Sequence, residues 1–99
     1  MRVDRRMGRR VATEHPVVLL WRDQSGQMQE STFRLANISI SGATVRAERP
    51  ICVGTTVSLG HQSETIVGKV KHCVRRGADF MLGIEFENDC EWAIPRNPQ

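Results

Sequence analysis

Residues 32–45 read Thr-Phe-Arg-Leu-Ala-Asn-Ile-Ser-Ile-Ser-Gly-Ala-Thr-Val. Two apolar stretches, residues 32–36 and 43–45, flank a polar corner of the form N-x-S-x-x-G: Asn37-Ile38-Ser39-Ile40-Ser41-Gly42. An Asn side chain can hydrogen-bond the backbone two residues on, and Ser hydroxyls do the same more weakly. Gly42 is expected to supply a positive φ at little cost. The chain therefore reverses here between two strands.

Working outward from this corner, the same period of two recurs on both sides. Upstream, residues 15–22 (HPVVLLWR) form a first strand, with Val17, Leu19 and Trp21 on one face and Val18 and Leu20 on the other. Pro16 belongs near its start or on an edge. Asp23-Gln24-Ser25-Gly26 is a turn cluster. A second strand covers residues 28–38, with Phe33 and Leu35 inward. Downstream, residues 43–46 form a short third strand in which Ala43 and Val45 alternate with Thr44 and Arg46, and Pro50 ends it. A fourth covers 55–59 with Val57 and Leu59 inward. The fifth, 64–74, puts Ile66, Gly68, Val70, His72 and Val74 on one face, and Val67, Lys69, Lys71 and Cys73 on the other. Gly68 is expected to mark a bend or bulge, and His72 to be a packed strand residue. The sixth strand, 80–86, turns Leu82, Ile84 and Phe86 inward.

Six short strands with Gly, Pro and Asn at the corners predict an all-β, antiparallel barrel or sandwich. Closure into a barrel removes the edges that a small open sheet must protect. Residues 1–14 lack a steady period and are expected to form a flexible arm. Residues 15–87 make the barrel domain. Residues 88–99, with Pro95 and Pro98, form a short tail in which Trp92 is either a lid on one barrel end or a contact for a partner.

Ninety-nine residues bound the chain to one domain, and 25% charged with 39% hydrophobic residues suits a globular fold. No apolar run approaches the roughly 20 residues of a membrane helix, and no apolar core follows the basic N-terminus as in a secretory signal. Cys52, Cys73 and Cys90 are odd in number and lack C-x-x-C spacing. That argues against a disulfide framework or a zinc knuckle and for the cytoplasm. His15, His61 and His72 are scattered without metal-ligand spacing. Ser41 and Cys73 lack a base-and-orienter set, so no enzyme is expected.

The net charge is only +3, yet five of the 14 basic residues, Arg2, Arg5, Arg6, Arg9 and Arg10, lie in the first ten positions, opposed only by Asp4. Arginine's planar fork matches phosphate and the guanine edge in a way lysine does not. The plainer reading is a solvated basic tail, and Lys69, Lys71, Arg75 and Arg76 read as a solvated strand face.

An R-x-x-x-R pair ahead of the first strand, followed by a strand ending in N-x-S-x-x-G, resembles the PilZ domain, a family that binds the bacterial second messenger cyclic di-GMP. Arg6 and Arg10 fill the first motif; Arg5 and Arg9 also fit its spacing. The step from Arg10 to Pro16 is similar to the family's lead into its first strand and favours the former pair. Asn37, Ser39 and Gly42 fill the second motif. Residues 70–74, a turn, and Gly83-Ile84-Glu85-Phe86 resemble the family's closing strand pair. The resemblance spans roughly residues 5–87.

The resemblance implies a six-stranded split barrel with a ligand-binding arm, cyclic di-GMP as ligand, and no cofactor or metal. Arg5, directly before the favoured pair, implies two stacked ligand molecules per chain. Met7-Gly8 lacks the proline often found in that loop, which leaves it less pre-organised. Chemistry agrees with the site: arginines bridge phosphates or fork onto guanine O6 and N7, Asn37 offers donor and acceptor to a guanine edge, Ser39 a hydroxyl, and Gly42 an unobstructed backbone. With no output domain legible in the sequence, a separate, unidentified protein partner is expected. Two other readings are a barrel that binds single-stranded nucleic acid and an adaptor that works without ligand. Five aromatics with no Tyr and no aromatic-rich strand count against the first, since base stacking needs such a face. The intact arginines and N-x-S-x-x-G count against the second.

Overall fold

The computed structural model describes residues 11–12, 15–61 and 63–88. Its strands are β1 (Val11–Ala12), β2 (Pro16–Arg22), β3 (Met28–Ile38), β4 (Gly42–Ala47), β5 (Thr56–His61), β6 (Glu64–Arg76) and β7 (Asp79–Phe86), all paired antiparallel. Strands β2 to β7 fall where the period of two places them, differing by no more than two residues at an end. Neighbours run β3-β2-β5-β6-β7-β4, and β4 pairs back onto β3. The result is a closed six-stranded antiparallel barrel, as expected, with no helix among the described residues.

The inward alternation supplies one core. Val17, Leu19 and Trp21 of β2 meet Phe33, Leu35 and Ile38 of β3, Ala43 and Val45 of β4, Val57 and Leu59 of β5, Val70 of β6, and Leu82, Ile84 and Phe86 of β7. Leu19, Leu35, Leu59 and Leu82 are fully buried. The connection from β4 to β5 adds Ile51 to this cluster. At the β2–β3 hairpin, the Gly26 N–H donates to the Asp23 carbonyl at 2.9 Å, and Gly26 takes φ 89°. This is a turn closed by a left-handed residue, which suits glycine. The Asp23 carboxylate organises the tip: Oδ1 accepts from the Ser25 hydroxyl at 2.7 Å and from the N–H groups of Ser25 and Gln27, both at 2.9 Å.

Two register slips depart from strict alternation. The β3–β4 register shifts between Leu35 and Asn37. Unbroken alternation would turn Asn37 into the core with Phe33 and Leu35; the slip instead buries Ile38 and leaves Asn37 only partly covered. The β6–β7 register shifts between Val70 and His72. Past that point the predicted faces of β6 are exchanged: His72 and Val74 are exposed, while Cys73 packs against the core. The expectation of an inward, packed His72 is therefore corrected. An extra residue in one strand reverses which face each later residue takes.

Gly68, expected to mark a bend or bulge, is not where the register shifts. It sits where β6 meets β7 closely, and a Cβ there would stand 2.7 Å from the Glu85 carbonyl oxygen.

The arm assigned to residues 1–14 also changes at its inner end. Val11 pairs with Ile38 and Ala12 with Asn37. These two residues extend the edge of β3 beyond β2, which pairs only as far as Arg34. Between the two segments the Leu35 N–H donates to the His15 carbonyl at 2.8 Å. A two-residue strand carries no periodic signal, and its partner residues lie 27 and 25 positions away.

Candidate functional site

The N-x-S-x-x-G corner is held by Ser39. Its N–H donates to the Gly42 carbonyl at 2.8 Å, and its hydroxyl donates to the same oxygen at 3.3 Å. That second bond is long for an O–H donor, so the hydroxyl can turn to another acceptor at little cost. Ser39 itself is only 9% exposed. The Ser41 carbonyl accepts from the Phe86 N–H at 2.9 Å, which ties the corner to the end of β7.

The two roles expected for the flanking motif residues are corrected. Among the described residues, the Asn37 side chain makes no turn bond, and Ser39 does that work. Gly42 does not have a positive φ; among the described residues the glycines that do are Gly26, Gly54 and Gly77. Glycine is needed at 42 because β7 lies close: a Cβ would stand 2.5 Å from the Ile84 carbonyl oxygen. That is backbone, and it cannot swing aside.

Asn37, Ser39 and Gly42 line one groove of about 260 Å³ on the outer face of β3, β4, β7 and β6, shared with Thr44, Lys71, His72 and Glu85. The strand pairing explains this gathering. Asn37 pairs with Thr44, Thr44 with Gly83, and Gly83 with His72, a single row across four strands. In the next row Gly42 pairs with Glu85. Lys71 Nζ lies 3.4 Å from Glu85 Oε1, both side chains more than half exposed. Such an exposed pair adds little stability, so Lys71 is available to an incoming anion. Lys71 and His72 line this groove, although sequence reasoning left them on a solvated face and in the core. The signal that would have found them is the β6 slip, which no local pattern announces.

A second hollow, about 530 Å³, is larger but contains none of the motif residues; it is lined by Arg34 and Arg46 together with Glu48 and Asp79. Its charges balance, and nothing in it points to a ligand class.

Arg5, Arg6, Arg9 and Arg10 lie outside the described residues, as do Cys90 and Trp92. The chain position next to Arg10 is nevertheless placed, because Val11 is paired with Ile38, beside Asn37. At most about 3.6 Å per residue, Arg6 is within roughly 18 Å of Val11 along the chain, and Arg10 is its neighbour. Among the described residues no group of three or more His, Cys, Asp or Glu side chains is arranged to hold a metal ion.

No family model matches the chain, and no curated protein matches it. Solved structures do. The chain is similar to the PilZ domain of YcgR from Escherichia coli, solved with c-di-GMP, at TM-score 0.62 and 14% identity, over 86% of this chain and 79% of that one. It is also similar to MrkH, described as a c-di-GMP-dependent transcription regulatory factor, at TM-score 0.58 and 15% identity. That match covers 85% of this chain and 44% of MrkH, so the chain spans less than half the length of that relative. At such identities the likeness is one of fold.

Proposed function

We infer that this chain, whose fold is PilZ-like, binds cyclic di-GMP in the groove beside Asn37 and acts as a receptor for that second messenger. The observation that carries the reading is that β1 pairs with the end of β3, Val11 opposite Ile38 and Ala12 opposite Asn37, at the edge of the groove lined by Asn37, Ser39 and Gly42. The arginine-rich segment leads directly into β1 at Val11, so by chain length alone its guanidinium groups can reach the groove. Arg6 and Arg10 would bridge phosphate or fork onto a guanine, as charge-assisted bidentate donors do. Asn37 offers both donor and acceptor to a guanine edge.

At about 260 Å³ the groove is smaller than the roughly 300–1,000 Å³ of pockets that enclose a drug-sized ligand. A cyclic dinucleotide therefore needs a cover from outside the barrel, and the arginine segment serves as that cover. Ordering it on binding costs conformational entropy, so an affinity near micromolar is expected. The covered form presents a different shape and charge to a separate protein, which is how binding becomes output. Arg5 ahead of the favoured pair supports two ligand molecules per chain.

Calorimetric titration with cyclic di-GMP at physiological salt tests the reading, with GTP and single-stranded RNA as comparisons. Saturable heat with cyclic di-GMP alone is expected, at a ratio of two. Arg6→Ala and Arg10→Ala should each cost about 1.5–3 kcal/mol, through loss of hydrogen bonds to a charged group. No heat from folded protein, or tighter binding of RNA, rejects the function. Wild-type affinity in both arginine variants rejects the site, and a ratio of one rejects the stacked pair.

A further inference from the structure

The slip in β6 sets His72 opposite Gly83. With no side chain at 83, a hollow is left, and the imidazole fills it: Nε2, Cε1 and Cδ2 all crowd the place a Cβ of residue 83 would take. The ring is thus seated on the groove floor while His72 stays exposed to solvent. Among the described residues lining the groove, His72 is the one aromatic ring. Lys71 and Glu85 beside it form an exposed ion pair and offer charge, not a π-face.

Asn37 and His72 stand at opposite ends of the row that crosses β3, β4, β7 and β6. Three interstrand steps of roughly 4.8 Å separate them by about 14 Å along the sheet. One base edge cannot engage both, since hydrogen bonds close at about 3 Å. A ligand with two bases can.

We propose that His72 is a base-stacking platform that takes a second guanine of cyclic di-GMP while Asn37 takes the first; this rests on the reading of the groove given above. Histidine is among the side chains on which unstacked bases lie, and every base has a π-face to offer. The alternative is purely structural: an aromatic ring laid over a strand glycine also shields the backbone and pins register. The two differ in what ligand does to the ring.

The experiment combines affinity with the ring's own resonances. In wild-type protein saturated with cyclic di-GMP, the His72 ring protons should move upfield under the guanine ring current, with those of His15 and His61 unmoved. His72→Ala should weaken binding by roughly tenfold, the scale of one lost base–aromatic stack, and His72→Phe should stay within a few-fold of wild type. Unmoved His72 resonances at saturation, or wild-type affinity in His72→Ala, overturns the proposal while leaving the receptor reading intact. His72→Phe as weak as His72→Ala overturns stacking in favour of an imidazole hydrogen bond. If wild-type protein binds no cyclic di-GMP, both fall together.

Discussion

Gly42 and Gly83 both lack a side chain for reasons of space, but what fills the space differs. At Gly42 it is the Ile84 carbonyl oxygen of a paired strand; at Gly83 it is the exposed imidazole of His72. Backbone in a ladder must move as a unit, whereas an exposed ring can change rotamer. Gly42→Ala should therefore cost about 1–3 kcal/mol, as overpacking does, and Gly83→Ala clearly less, measured by chemical denaturation of both. Equal losses would mean that the His72 ring is as fixed as the strand. Asp23 gives a second residue-scale expectation. The Ser25 hydroxyl and the Gln27 N–H, with further help from Gln29 and the Ser25 N–H, lower its pKa from 3.8 to about 2. A carboxylate with a lowered folded pKa stabilises the fold above its unfolded pKa and loses that contribution as pH falls through the folded value. The melting-temperature gap between wild type and Asp23→Ala should hold steady above about pH 4 and narrow between pH 4 and pH 2. A gap that widens on acidification would contradict the hydrogen bonding at this hairpin tip.

At the scale of elements, β1 is small and consequential. Two residues pair with the end of β3, a ladder too short to add much stability. They do fix where the arginine segment begins. Ala12→Pro removes a backbone donor from a two-residue ladder. We expect its melting temperature to stay near that of wild type while affinity for cyclic di-GMP falls several-fold, by calorimetry. Unchanged affinity would mean that the arginines find the groove without this anchor. The corner at 37–42 works at the same scale: Ser39 and Ser41 clamp it to β4 and β7, so the groove wall exists before any ligand arrives.

At the scale of the molecule, the described residues form a closed barrel around one core, and the proposed binding of cyclic di-GMP does not require its strands to move. Leu82, fully buried, belongs to the core rather than to the groove. Leu82→Ala should destabilise by about 2–5 kcal/mol, in a denaturation transition that stays single and cooperative, since all six barrel strands share that core. Hydrogen exchange separates the barrel from its cover. Ligand should raise protection in residues 5–10 and around 37–42, leaving β5, on the far side of the closed sheet, unchanged. Equal protection of residues 5–10 with and without ligand would remove the proposed switch.

Strand positions, inward faces up to the slips, and the polar corner were legible in the sequence because each is a property of contiguous residues. A period of two and turn-forming side chains act locally, and residues 28–38 read as a strand whatever they pair with. Barrel closure also followed, since short strands without helices have few other ways to cover their edges. The groove was legible in half: Asn37, Ser39 and Gly42 are near neighbours in the chain. Lys71, His72 and Glu85 join them only through the pairing of β4 with β7 and β7 with β6. The slips at Leu35–Asn37 and Val70–His72, the reason for glycine at 42, and the pairing of β1 were decided by tertiary structure. Each depends on how closely two distant backbones approach, a quantity that no stretch of one strand contains.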